Sequence, residues 1–138
     1  MMIVRACLCG AVTVCGLALR GLGLGLGLPA LVVKYGGSLL WGTMVFFLVA
    51  MAGSQRPRRS IALMAAAIAI CVELFRLIHT PWLDTFRLTL PGALLLGRIF
   101  SLWDMLAYGG GIVLAMWLDR IAVSAVVNAA RATPHSAS

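Results

Sequence analysis

Residues 71–88 read CVELFRLIHTPWLDTFRL, and the stretch opens inside a long apolar run that begins after Ser60. Glu73, Arg76 and His79 recur in it at three-residue steps, so on a helix they share one face. An ionised side chain near the middle of a bilayer costs at least a few kcal/mol unless it faces a bundle interior and finds a partner. Glu73 and Arg76, one turn apart, are placed to neutralise each other, with His79 continuing their face. The run from about 60 to 79 is therefore expected to be a membrane-spanning helix with a polar inner face.

The rest of the chain supports a membrane reading. Of 138 residues 62% are hydrophobic and only 11% charged, and the mean hydropathy is +1.05. A soluble domain of this size needs more polar surface than that. Eleven Lys and Arg residues stand against four Asp and Glu residues, a formal charge of +7. They form no basic stripe interleaved with aromatics, as a nucleic-acid surface requires, and instead punctuate the apolar runs. The expected partner is the lipid bilayer and not nucleic acid.

Four stretches are long enough to span: about 3–21, 35–53, 60–79 and 99–119. Each supplies roughly 19–20 residues, which at 1.5 Å per residue matches a hydrocarbon core of about 30 Å. Runs without polar alternation favour helices over a barrel, because lipid offers no partner for backbone groups. The expected fold is an all-α integral membrane bundle of four transmembrane helices, forming a single domain over residues 1–127. The run after Arg5 resembles a secretory signal, but no A-x-A site follows and Arg20 closes it, so a retained first helix is expected.

Between the second and third spans lies SQRPRR, residues 54–59, the densest basic cluster in the chain. Positive charge stays cytoplasmic, so both termini are expected on the cytoplasmic side of a bacterial cytoplasmic membrane. GLGLGLGL, residues 21–28, reads as a turn stopped by Pro29; no Lys-Ser/Thr follows the glycines as a phosphate loop would need. From Thr80 to Arg98, Pro81 and Pro91 interrupt a segment whose LTLPGALLLG is apolar but too short to cross. An interfacial or re-entrant segment between the third and fourth helices is expected there, with Trp82, Phe86 and Trp103 at headgroup depth. The tail, residues 128–138, is small and polar and reads as a disordered cytoplasmic end, so His135 carries no weight. Cys7, Cys9, Cys15 and Cys71 lack the spacing of a metal site and read as packing residues.

Depth along the helices brings the polar residues together. With the third helix entering at Ser60, Glu73 lies about 20 Å up, Arg76 about 24 Å and His79 about 28 Å. The fourth helix runs back, placing Asp104 within about 8 Å of the outer end and Tyr108 roughly 6 Å deeper. Lys34 marks the outer edge of the second helix and Ser38 follows one turn below. The cytoplasmic halves read as almost wholly aliphatic. A candidate polar pocket in the outer leaflet follows, built from Glu73, Arg76, His79, Asp84, Arg87, Arg98, Asp104, Tyr108, Lys34 and Ser38, with YGGG at 108–111 permitting close helix contact beside it.

KYGGSLLWG (34–42), VELFRLIHTPWLDTFR (72–87), GALLLGRIFSLWDMLAYGGG (92–111) and LD (118–119) together resemble a family of small bacterial membrane proteins, domain of unknown function 2809. Glu73, His79, Trp82, Asp84, Arg87, Asp104 and Tyr108 match its pattern, whereas Arg76 stands where a Gln is expected and Ser38 where an Asp is common. A more distant likeness links the chain to VanZ-like proteins, a family connected with glycopeptide resistance. The resemblance implies an architecture and no established activity.

Four functions fit these residues. An accessory protein of the cell envelope would hold an anionic lipid or lipid-linked phosphate through Arg76, Arg87 and Arg98, since guanidinium matches phosphate in a bidentate fork. A small proton-coupled transporter would relay charge through Glu73, His79 and Asp104, although no inverted repeat or broken helix pair is visible. A membrane enzyme would use Glu73 or Asp104 as acid or base, but nothing supplies a nucleophile, metal set or cofactor motif, so no cofactor and no catalytic residue are expected. Buried ion pairs with a purely structural role are the fourth reading. Association into a homo-oligomer is compatible with all of them.

Overall fold

The computed structural model describes residues 1–95 and 101–132, with the side chains of 93–95 outside the description. It is all helical: α1 (Met2–Leu22), α2 (Ala30–Ala52), α3 (Arg58–Phe75), α4 (Pro81–Leu88), α5 (Leu90–Leu95) and α6 (Leu102–Ala132). Among the described residues three helices, α1, α2 and α6, are long and apolar enough to cross a membrane. The 18 residues of α3 include Arg58, Arg59 and Glu73, and that charge sets it apart from the other three. The protein is thus a multi-pass helical membrane protein with three candidate spans, where the sequence reading has four.

α2 is the central helix. It packs against α1, α3 and α6, and half of its most apolar stretch is buried, against 11% for α1 and 22% for α6. Phe46, Phe47, Val45, Val49 and Ala50 of α2 meet Cys9 of α1, Ile61 and Ala65 of α3, and Ile112 and Ala115 of α6. Small residues set the α2–α6 approach: a Cβ on Gly42 would lie 2.6 Å from the Tyr108 carbonyl oxygen, and one on Gly111 would collide with the Leu39 carbonyl. The Thr43 hydroxyl donates across this crossing to the Gly111 carbonyl at 2.9 Å. Without a hydrophobic drive between helices in lipid, such backbone proximity and interhelical hydrogen bonding supply the contact.

Several boundaries move from their expected positions, each for a local reason. α2 starts at Ala30, directly after Pro29, so Lys34 lies within the helix and not at its edge. α3 stops at Phe75, short of the expected 79. The amides of Arg76, Leu77 and Ile78 turn back to carbonyls three residues earlier, and Thr80, held extended before Pro81, prevents continuation. His79 therefore does not continue the Glu73–Arg76 helix face. The expected interfacial segment contains two short helices; α4 begins with Pro81 at its first turn, carries Asp84 there and ends with Arg87, matching the helix dipole at both ends. α1 ends in a turn at 23–27, where Gly27 has φ +84°. α6 runs on to Ala132, so residues 128–132 are helical where a tail was expected; residues 133–138 lie outside the described residues.

Candidate functional site

Glu73 and Arg76 sit at the end of α3, and Asp104 and Tyr108 at the start of α6. Because the two helices run in opposite directions, these ends coincide. Arg76 Nη1 lies 2.8 Å from Glu73 Oε2 and 3.1 Å from Asp104 Oδ2, and Nη2 donates to the Tyr108 hydroxyl at 2.7 Å. The remaining carboxylate oxygens are also used. Glu73 Oε1 accepts the Ser101 amide at 2.7 Å, tying the first residue before α6 to α3, and Asp104 Oδ1 accepts from the Ser38 hydroxyl of α2 at 3.2 Å. Glu73 Oε2 accepts no aligned hydrogen bond among the described residues, so its contact with Arg76 is one of charge.

Every member is buried: Glu73 is 0% exposed, Ser38 and Tyr108 2%, Asp104 4% and Arg76 6%. The Trp41 ring lies 4.9 Å from that of Tyr108, closing the centre on the α2 side. Two carboxylates and a phenol around one guanidinium make a tightly held unit. Buried charges of this kind survive because each finds a partner, and removal of one leaves another uncompensated.

The expected pocket of ten residues is split by the fold. Five of them, Ser38, Glu73, Arg76, Asp104 and Tyr108, form this centre. His79, Asp84 and Arg87 form a separate group on the α3–α4 connection, where Asp84 Oδ1 lies 3.3 Å from both His79 Nδ1 and Arg87 Nη1. Arg87, 3% exposed, donates to the carbonyls of Phe75 at 2.7 Å and Ile78 at 3.0 Å. It thereby adds a second donor to the Phe75 carbonyl, which also accepts the Ile78 amide, and binds the Ile78 carbonyl just beyond α3, its charge suiting the negative end of the dipole. Lys34 is exposed, with its ammonium 5.2 Å from the Tyr35 ring centroid. Arg98 lies outside the described residues.

A second charged cluster, which the sequence reading did not include, closes the opposite end of the bundle. Asp119 of α6 is 1% exposed and accepts from Arg5 of α1 at 2.7 and 3.2 Å and from Arg58 of α3 at 2.7 Å. Arg5 also donates to the Ala50 carbonyl of α2 at 3.2 Å, so the cluster joins four helices. This corrects the expectation that the far halves of the helices are almost wholly aliphatic. By sequence alone Asp119 falls at the end of the expected 99–119 span and Arg5 near the start of the first. The signal was the acid itself: the chain has only four, Glu73, Asp84, Asp104 and Asp119, and each is ion-paired. Among the described residues no group of three or more His, Cys, Asp or Glu residues is arranged to hold a metal ion.

Apolar spans, charges paired inside the bundle and aliphatic faces turned outward define a small multi-pass helical membrane protein. The chain belongs to the family described as protein of unknown function (DUF2809), whose profile matches residues 27–112. That match takes in Ser38, Glu73, Arg76, Asp104 and Tyr108, and leaves Arg5, Arg20 and Asp119 outside it. No curated protein and no solved structure matches the chain.

Proposed function

We propose that the protein is an accessory protein of the bacterial cell envelope that crosses the cytoplasmic membrane four times, with α3 as the fourth span and both termini inside, and retains an anionic lipid or lipid-linked phosphate at the outer leaflet. The observation that carries this reading is which cations are left over. Arg76 and Arg87, first candidates for the phosphate, are occupied by carboxylates, a phenol and backbone carbonyls. Arg20 at the end of α1 and Lys34 near the start of α2 lie at the same end of the bundle, and among the described residues neither has an acidic partner. Cations at a membrane-facing helix end attract anionic headgroups, and the attraction falls with salt.

The distant likeness to VanZ-like proteins fits an envelope role and is part of the proposal. The relay through Glu73, His79 and Asp104 gains no support, since His79 stands with Asp84 and apart from the other two. The test is native mass spectrometry of the purified protein offered phosphatidylglycerol or phosphatidylcholine. In Arg20→Ala/Lys34→Ala, phosphatidylglycerol retention is expected to fall by at least about tenfold, the worth of a single charge-assisted contact, since two cations are removed, and phosphatidylcholine retention to stay constant. Equal retention of phosphatidylglycerol by both proteins refutes the reading.

A further inference from the structure

Directly beneath Arg20, α1 and α2 part to leave a cleft of about 110 Å³. Its walls are Val12 and Leu17 of α1 and Leu40, Trp41 and Met44 of α2, with Gly16 as the small residue between them. Thr13 also borders it, but its hydroxyl is already donated to the Cys9 carbonyl at 2.8 Å, so it brings no unpaired donor into the cleft. The wall is therefore apolar along its length and cationic at one end. From Arg20 to Val12 the helix covers about 12 Å, close to the roughly 15 Å depth of a single leaflet's hydrocarbon. A dry apolar cavity of about 150 Å³ takes up a benzene molecule, so this smaller cleft holds only a few methylenes, and the rest of a chain lies along the outside of the bundle.

Arg20 is held in place at the mouth. Its side chain lies flat across α2 at Gly37, so closely that a Cβ there would come within 2.5 Å of Nε. The Gly37 position thus brings a half-buried guanidinium over the cleft, with no acceptor for it among the described residues. Lys34 stands one turn of α2 above Gly37. A guanidinium over an apolar slot is complementary to an anionic lipid whose phosphate meets Arg20 and part of whose chain enters the slot.

Resting on the lipid reading above, we propose that the α1–α2 cleft is a site for a single anionic phospholipid, with the upper part of one acyl chain against Leu17, Leu40 and Trp41 and the phosphate on Arg20. The site then selects on both ends of its ligand. A phosphate without a chain gains only the contact to the cations, and a neutral lipid gains only the slot.

Two substitutions block the slot without touching its charge. A Cβ on Gly16 lies 3.6 Å from the Leu40 Cβ, an ordinary contact, and Gly16→Leu adds its branch to the wall of the cleft. Val12→Phe closes the lower end. Each variant is purified, checked for wild-type thermal unfolding, and measured by native mass spectrometry with phosphatidylglycerol and, separately, glycerol phosphate. Whichever of the two retains the wild-type transition decides the outcome; if both unfold early, Leu17→Trp is read instead, at a half-exposed position on the cleft wall, and its phosphatidylglycerol loss must exceed its glycerol-phosphate loss. The expected result is a tenfold or greater loss of the one-to-one phosphatidylglycerol complex with no change toward glycerol phosphate. Unchanged phosphatidylglycerol in the slot variants, alongside loss in Arg20→Ala/Lys34→Ala, overturns the cleft and leaves the headgroup reading standing. No change in any variant overturns both.

Discussion

Replacing Asp119 by Asn tests whether the cluster at the α1–α6 end holds the bundle together. Asn keeps the volume and one acceptor oxygen but removes the anion shared by Arg5 and Arg58. The two arginines contribute unequally. The Arg5 side chain is 10% exposed and meets both carboxylate oxygens, whereas that of Arg58 is 38% exposed and meets one. Breaking a buried pair typically costs about 3–5 kcal/mol, because the remaining charge is stranded. A pair open to solvent is worth roughly 0–1 kcal/mol. Asp119→Asn is therefore expected to cost about 3 kcal/mol, allowing for the Ala50 carbonyl that Arg5 keeps, and Arg58→Ala no more than about 1 kcal/mol. Replacing the pair with apolar residues, Arg5→Met/Asp119→Leu, removes the stranded charge and is expected to recover most of the loss. The assay is reversible unfolding of the detergent-solubilised protein, followed by helical circular dichroism. The reasoning fails if Asp119→Asn costs no more than Arg58→Ala, or if the double variant loses the sum of Arg5→Met and Asp119→Leu.

At the other end, Glu73→Gln and Arg76→Gln should each destabilise the protein by about 3–5 kcal/mol, and the double variant should lose less than their sum, since the 2.8 Å pair is broken only once; additive losses in the same unfolding assay would show that the two charges act independently. Topology is tested by single cysteines at Gln55 and Thr85 in a background with the four natural cysteines replaced. Thr85 should react with an impermeant reagent from outside and Gln55 only after permeabilisation, and the opposite pattern reverses the orientation.

Local sequence rules determine much of this protein. Apolar runs and the bilayer's intolerance of unpaired backbone groups make it helical, and the glycine–leucine stretch after α1 and the Pro57 junction mark two of the turns. The i, i+3 spacing of Glu73 and Arg76 is enough to predict their pairing, because both partners lie on one helix. Tyr108 is legible as lying at the depth of Glu73, with Asp104 one turn nearer the outer end, since antiparallel helices of known rise fix depth to within a turn.

What depth does not fix is direction and competition. Arg87 faces inward because the turn after α3 presents the Phe75 and Ile78 carbonyls to it, an arrangement that exists only because the helix stops at Phe75. His79 followed the chain out of the helix and paired with Asp84. Asp119 looked like a span end until the fold set Arg5, from 114 residues away, beside it. Helical spacing reports partners within one element; the choice among several cations for four carboxylates is made by which helix ends meet, and that is a property of the packed bundle alone.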